Sequence, residues 1–227
     1  HGREETVDIA VSRRKRTSRE ASLRREDGGQ YLRLRGEGYL QYDIHKNFNP
    51  SQGVIEMEFR LSRTPSGSGN HPSVLFSIGQ HLKYMFGNAI FIGFLEDGRL
   101  GVKCKDSEGR WLFAQFSREL PVIQPHFWHT VTVYWRNFNR AGADPACGII
   151  LGEYREEARL SMPCHKAFQC VPNTAMWVGG AVQMPDSFAN ADIRRLKIYG
   201  RCPADKNGIA PRERDLLFEA DDLFQDF

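Results

Sequence analysis

Apolar and polar residues alternate along most of this chain. Leu40, Tyr42 and Ile44 alternate with Gln41 and Asp43, and Ile55, Met57, Phe59 and Leu61 alternate with Glu56, Glu58 and Arg60. Period two puts every second side chain on one face, so each run predicts a half-buried strand. Val74, Phe76 and Ile78 resume the pattern after a Pro/Gly/Ser loop at 63–71, and residues 89–95 are nearly all apolar, as a central strand is. Asp97-Gly98 marks a tight hairpin, because both residues tolerate positive φ. Leu100–Lys105 is the return strand, and a turn at 106–109 leads into another strand at 111–116. Val131, Val133 and Trp135 share a face, with Thr130, Thr132 and Tyr134 opposite. Residues 148–151 and 158–162 form a further hairpin joined by 152–157. This succession of short strands and turns predicts an all-β protein: two antiparallel sheets packed as a β-sandwich.

The ends read differently. Residues 1–30 have no period and are expected to form a basic arm, with a short strand at 7–11. Residues 31–205 form the sandwich domain. Residues 206–227 are acidic; Leu216, Leu217, Leu223, Phe224 and Phe227 predict an amphipathic helix or a docking tail. Of 227 residues, 41% are hydrophobic, which supplies a sizeable core. Net charge is +3, and residues 1–35 hold ten Lys/Arg against six Asp/Glu. That balance argues against a nucleic-acid partner. No apolar run reaches the roughly 18 residues of a membrane helix, which argues against membrane insertion. The chain opens on His1-Gly2 without Met, as a processed product or one module of a larger chain does.

Five cysteines are present, with no zinc-type spacing. Cys147, Cys164, Cys170 and Cys202 are disulfide candidates with three possible pairings; scattered free thiols are the alternative. Cys104 lies in a strand pattern and reads as a buried free thiol.

Three segments occur in order: Phe127-Trp128-His129-Thr130-Val131-Thr132-Val133-Tyr134-Trp135, then Met176-Trp177-Val178-Gly179-Gly180, then Phe188 to Tyr199. Their order resembles the laminin G-like group of the concanavalin A-like lectin/glucanase superfamily, over residues 39–203. Leu120-Pro121 before the Trp-His pair and Cys202 after the closing strand look most like the thrombospondin N-terminal-like branch. The turn Leu151-Gly152-Glu153-Tyr154 departs from the pattern by lacking the usual Asp-Gly. The resemblance implies jelly-roll connectivity and a non-catalytic recognition or adhesion role. It implies an extracellular or secreted setting, with a cytoplasmic one left open, and a glycan or extracellular protein as partner.

Candidate site residues follow from their chemistry. Arg13, Arg14, Lys15 and Arg16 form a cationic cluster suited to a sulfated or other anionic polymer; the alternatives are a solvated arm, or a dibasic processing site or nuclear signal. Trp111 and Tyr84 are candidates for stacking on sugar rings. Asp186 and Asp192 flank the last loop and are candidate calcium ligands, since the resemblance implies an ion at a sandwich rim and calcium wants six to eight oxygens. Glu56 and Glu58 share a strand face as glycosidase carboxylates do, but a solvated face explains them as well. His129 follows an apolar Trp and reads as structural. Trp128, Trp135 and Trp177 read as core. The expectation is a binding module; the alternatives are a polysaccharide hydrolase or lyase on the same fold, or a scaffold docking through its terminal segments.

Overall fold

The computed structural model describes residues 9–10, 21–26, 29–36, 38–43, 48–63, 73–82, 85–95, 97–105, 111–117, 123–138, 140, 143–159, 174–180, 189–202, 204–205, 208–209 and 211–219. In chain order its strands are β1 (Ile9–Ala10), β2 (Ser22–Glu26), β3 (Gly29–Arg33), β4 (Leu40–Asp43), β5 (Gly53–Leu61) and β6 (Ser73–Leu82). Next come β7 (Met85–Phe94), β8 (Leu100–Lys105), β9 (Trp111–Gln115), β10 (His129–Arg136), β11 (Ala146–Leu151) and β12 (Tyr154–Arg159). The last are β13 (Thr174–Val178), β14 (Ala191–Tyr199), β15 (Ala204–Asp205), β16 (Gly208–Ile209) and β17 (Leu216–Glu219).

These strands build a two-layer antiparallel sandwich of jelly-roll type. One sheet runs β1-β4-β13-β6-β7-β8-β9 and the other β12-β11-β10-β5-β14-β3-β2, with β17 paired to β14. The apolar halves of the alternating strands meet between the layers. Ile55, Met57 and Phe59 of β5, Val131, Val133 and Trp135 of β10, and Ile193, Leu196 and Ile198 of β14 are all buried there. Trp135 packs on Phe48 with ring centroids 5.2 Å apart. Its indole N–H donates to the Asn49 carbonyl at 2.9 Å, so the buried donor is satisfied.

The structure differs from the sequence reading at the sheet edges. Ser22–Glu26, taken as arm, forms β2 and pairs with β3. Arg24, Arg25 and Glu26 are exposed there, which suits an edge strand guarded by charge. Leu216–Glu219 is a strand against β14, not a helix, and a 3-10 turn at Glu213–Asp215 precedes it. The β11–β12 hairpin turns at Gly152-Glu153, with Gly152 at φ 60°. Its second strand therefore starts at Tyr154 and not at residue 158.

β14 departs from strict alternation in a way that matters. Ile193 pairs with Phe59 and Arg195 with Glu58, so the register shifts between them. A β-bulge inserts one residue and re-aims the neighbouring side chains. Here it leaves both Arg194 and Arg195 out of the core, while Ile193 and Leu196 still point into it.

The cysteines are placed clearly. Cys104, Cys147 and Cys202 are buried thiols outside any disulfide. Cys147 lies between the layers, whereas Cys202 belongs to a separate cluster with Val54, Tyr134 and Tyr199. A Cys147–Cys202 bridge is thereby excluded, because the eight-stranded sheet separates the two sulfurs. Cys164 and Cys170 lie outside the described residues.

Candidate functional site: an arginine and tryptophan platform

The outer face of the eight-stranded sheet is polar, and its chemistry is concentrated at the β2-β3-β14-β5 end. Alternation along β3 turns Leu32 inward and presents Arg33, and Arg35 follows two residues on. β5 presents Glu56, Glu58 and Arg60, and the bulged β14 presents Arg194 and Arg195. Trp128 sits just before β10, half-buried, with its ring over this surface. The guanidinium carbons of Arg60 and Arg194 lie 4.6 Å and 4.4 Å from its ring centroid. Tyr31 meets Trp128 edge-on, at 5.7 Å and 74°. Arg60 also lies 5.0 Å and Arg33 5.5 Å from the Tyr31 ring. Cation–π contacts of this kind are stronger where water is partly excluded.

One buried carboxylate organises the cluster. Asp192 is ion-paired with Arg33 Nε at 3.2 Å, Arg35 Nη2 at 3.0 Å and Arg60 Nη2 at 2.9 Å. Its side chain is only 4% exposed. Glu26 holds the other side of Arg60 at 3.0 Å. Burial works to lower the Arg60 pKa, but the hydrogen bonds to Glu26 and Asp192 outweigh it and raise the value. Glu58 is held by Arg194 and, at 3.2 Å, by Arg195. Among the described residues, five guanidinium groups thus face three carboxylates around an aromatic ring. Phe127, next to Trp128, is 62% exposed.

A second cluster braces the far end of the same face. The Tyr134 hydroxyl donates to Glu157 at 2.5 Å and accepts from Arg155 Nη2 at 2.9 Å. Arg136 and Arg159 pair with the same carboxylate at 2.8 Å and 2.5 Å. Burial, then the bond to Glu157, pushes the Tyr134 hydroxyl up to about 12. For Glu157 burial alone would raise the pKa, but Tyr134, Arg159 and Arg136 together bring it below the usual carboxylate value.

The sequence candidates fall in several places. Glu56 and Glu58 share the outer face, as expected. Glu56 accepts a hydrogen bond from the Tyr199 hydroxyl at 3.1 Å, and Glu58 is taken up by two arginines. His129 Nε2 contacts the Gln124 carbonyl at 3.0 Å and its ring packs 5.8 Å from Phe59, a structural placement. Asp192 does not suit calcium, because three guanidinium groups already surround its carboxylate. Among the described residues no group of three or more His, Cys, Asp or Glu could hold a metal. Asp186, Tyr84, Arg13, Arg14, Lys15 and Arg16 lie outside the described residues. Trp111 opens β9 at the edge of the seven-stranded sheet. Phe113, two residues on, is exposed, with Lys103 Nζ 5.2 Å from its ring.

One tryptophan, Trp128, corrects the core reading, while Trp135 and Trp177 are buried as expected. Trp128 lies on the platform. Trp177 sits in a small cluster with Ala175 and Tyr39 apart from the main core. The platform arginines were missed, although signals for them exist. In Tyr31-Leu32-Arg33-Leu34-Arg35, leucine alternates with arginine, so one face of that strand must carry the cations. The doublet Arg194-Arg195 between apolar Ile193 and Leu196 breaks the period and signals a bulge.

No family model matches the chain, and no curated protein matches its sequence. Solved structures do match in fold. The CBM40 of the Ruminococcus gnavus IT-sialidase, bound to α2,3 sialyllactose, has a TM-score of 0.54 at 14% identity, covering 78% of this chain and 93% of that one. The enzymatically active domain of bacteriophage CBA120 tailspike protein 2 has 0.53 at 9%, covering 84% and 29%. Domains LG4-5 of the mouse laminin α1 chain have 0.50 at 9%, covering 78% and 43%. The chain spans less than a third of the two tailspike chains it matches. Likeness at these identities shows the sandwich fold.

Proposed function

We propose that this domain is a non-catalytic recognition module that binds an anionic glycan on the arginine and tryptophan platform, outside the cell or on a surface assembly. The observation that carries this reading is the pair of guanidinium groups, from Arg60 and Arg194, set over the Trp128 ring. Guanidinium forks match carboxylate and sulfate oxygens bidentately, and the ring they lie on helps fix their planes. Asp192 and Glu26 hold Arg60 in place, which lowers the entropy lost on binding. The sandwich neighbours support a binding role, since one is a carbohydrate-binding module in complex with a sialylated sugar. The likeness of Leu120-Pro121 and Cys202 to thrombospondin N-terminal-like modules points the same way. Binding is favoured over hydrolysis because Glu56 and Glu58 are engaged by Tyr199, Arg194 and Arg195.

A glycan array with and without chelator tests the proposal. The expected result is retention on sialylated, sulfated or uronate-bearing glycans, unchanged by chelator. Arg194→Ala and Trp128→Ala should each weaken it by about tenfold, the size expected for a charge-assisted contact, with thermal unfolding monitored as a control. Binding that survives both substitutions would place the ligand elsewhere. A second reading, a protein partner, is favoured by Phe127, which stands exposed beside the platform as an interface anchor does. Silence across the array would give it precedence.

A further inference from the structure

Cys104 and Cys147 belong to different layers: β8 lies in the seven-stranded sheet and β11 in the eight-stranded sheet. Alternation turns both inward. Cys104 shares its face with Leu100 and Val102, and Cys147 shares its face with Ile149 and Leu151, all of them buried. Stacked sheets ordinarily lie about 10 Å apart, too far for a disulfide, which joins Cα atoms about 5.5–6 Å apart. Here the layers pinch, and β11 comes within 8 Å of β8 and β9, Cα to Cα. Small neighbours accompany the approach: Ala158 pairs with Cys147 on β12, and Ala114 lies on β9 beside β8. Both thiols belong to the same buried cluster between the layers, and the Cys147 side chain is near enough to shift the Cys104 thiol.

We propose that Cys104 and Cys147 form a disulfide site that staples the two layers when the chain folds in the presence of a small-molecule disulfide such as oxidised glutathione. In the first step one cysteine thiolate attacks a sulfur of the oxidant. The oxidant's S–S bond breaks, one thiol leaves, and a mixed disulfide forms. The second thiolate then attacks the protein sulfur of that mixed disulfide and expels the second thiol. Two protein thiols are oxidised and one disulfide is reduced to two thiols, with both protons carried away by them. In the finished fold Cys104 is 3% and Cys147 0% exposed, so an oxidant has no access to either sulfur, and closure belongs to the folding phase before the layers seal. Cys202 takes no part, being on the other side of the eight-stranded sheet.

The test refolds the full chain from denaturant in mixed reduced and oxidised glutathione, alkylates remaining thiols under denaturing conditions, and maps peptides without reduction. A peptide pair joined through Cys104 and Cys147, absent after reductant, is the expected result. The bridge closes a loop of roughly forty residues, so reductant should lower Tm by roughly 10 °C. A Cys104→Ala, Cys147→Ala double variant should lose that sensitivity. Alkyl groups on both cysteines of the refolded chain, or a bridge from either to a different cysteine, would overturn the proposal. So would a reductant-sensitive Tm that persists in the double variant.

Discussion

At the scale of single residues, Asp192 shows how one buried charge arranges a surface. A carboxylate withdrawn from water needs partners, and three arginines supply them from two strands and the segment after β3. Removing its charge would leave three guanidinium groups crowded together with nothing between them. Asp192→Asn keeps the shape and removes the charge, so it should cost about 3 kcal/mol in urea unfolding, the usual size for breaking a buried pair. A cost below 1 kcal/mol would mean the arginines are held by water and Glu26 instead. Trp128 is the residue at which the sequence reading went wrong, and the reason is parity. It heads an apolar run, which suggested burial. Yet β10 turns Val131 inward, so His129 shares that face and Trp128, one residue earlier, falls opposite. Counting back from Val131 would have found it. The calcium reading of Asp192 could not be corrected in this way, since its arginines lie 132 to 159 positions away in sequence.

At the scale of elements, the clear central strands were legible and the edges were not. Hydrophobic alternation reports a buried face, and β5, β10 and β7 have one. β2 and β12 are edge strands rich in charge, so they carry little of that signal and were read as arm and connector. The β11–β12 hairpin depends on a contact that alternation does not reveal. Tyr134 faces Gly148 across the strand pair, and its ring occupies the space a Cβ at Gly148 would need. Gly148→Ala should therefore displace Tyr134 from Glu157 and cost about 2 kcal/mol, within the range for overpacking. Thermal or urea unfolding measures it. The same hairpin predicts a pH dependence. The Glu157 carboxyl is lowered from about 4.5, so its contribution is present above that pH and is lost as pH falls through the lower folded value. Tyr134, raised from 10.0 to about 12, works in the opposite sense: its contribution is present below pH 10 and fades as pH rises through about 12. In Glu157→Gln the acid limb of unfolding free energy against pH should flatten relative to wild type. Identical acid limbs would show that Glu157 is not the titrating group.

At the scale of the whole molecule, the sandwich separates two jobs between its surfaces. Apolar side chains meet between the layers and supply stability, while the outer face of the larger sheet gathers charges from strands distant in sequence. Net charge for the whole chain is only +3, so composition gives no hint of an arginine-rich patch. The patch exists because alternation sends the arginines of β3, β5 and β14 to one face and pairing order sets those strands side by side. A ligand held there by guanidinium groups would feel mobile ions, since the Debye length shrinks from about 10 Å at 0.1 M to about 3 Å at 1 M. Affinity for an anionic glycan should then fall by about tenfold as salt rises from 0.1 M to 1 M. In Arg194→Ala the fall should be shallower, because one of the screened charges is gone. Titration calorimetry or surface binding across a salt series measures both slopes. Equal slopes in the two proteins would mean that the ligand is held by apolar contact with Trp128 and Phe127, with the arginines serving only to position the ring.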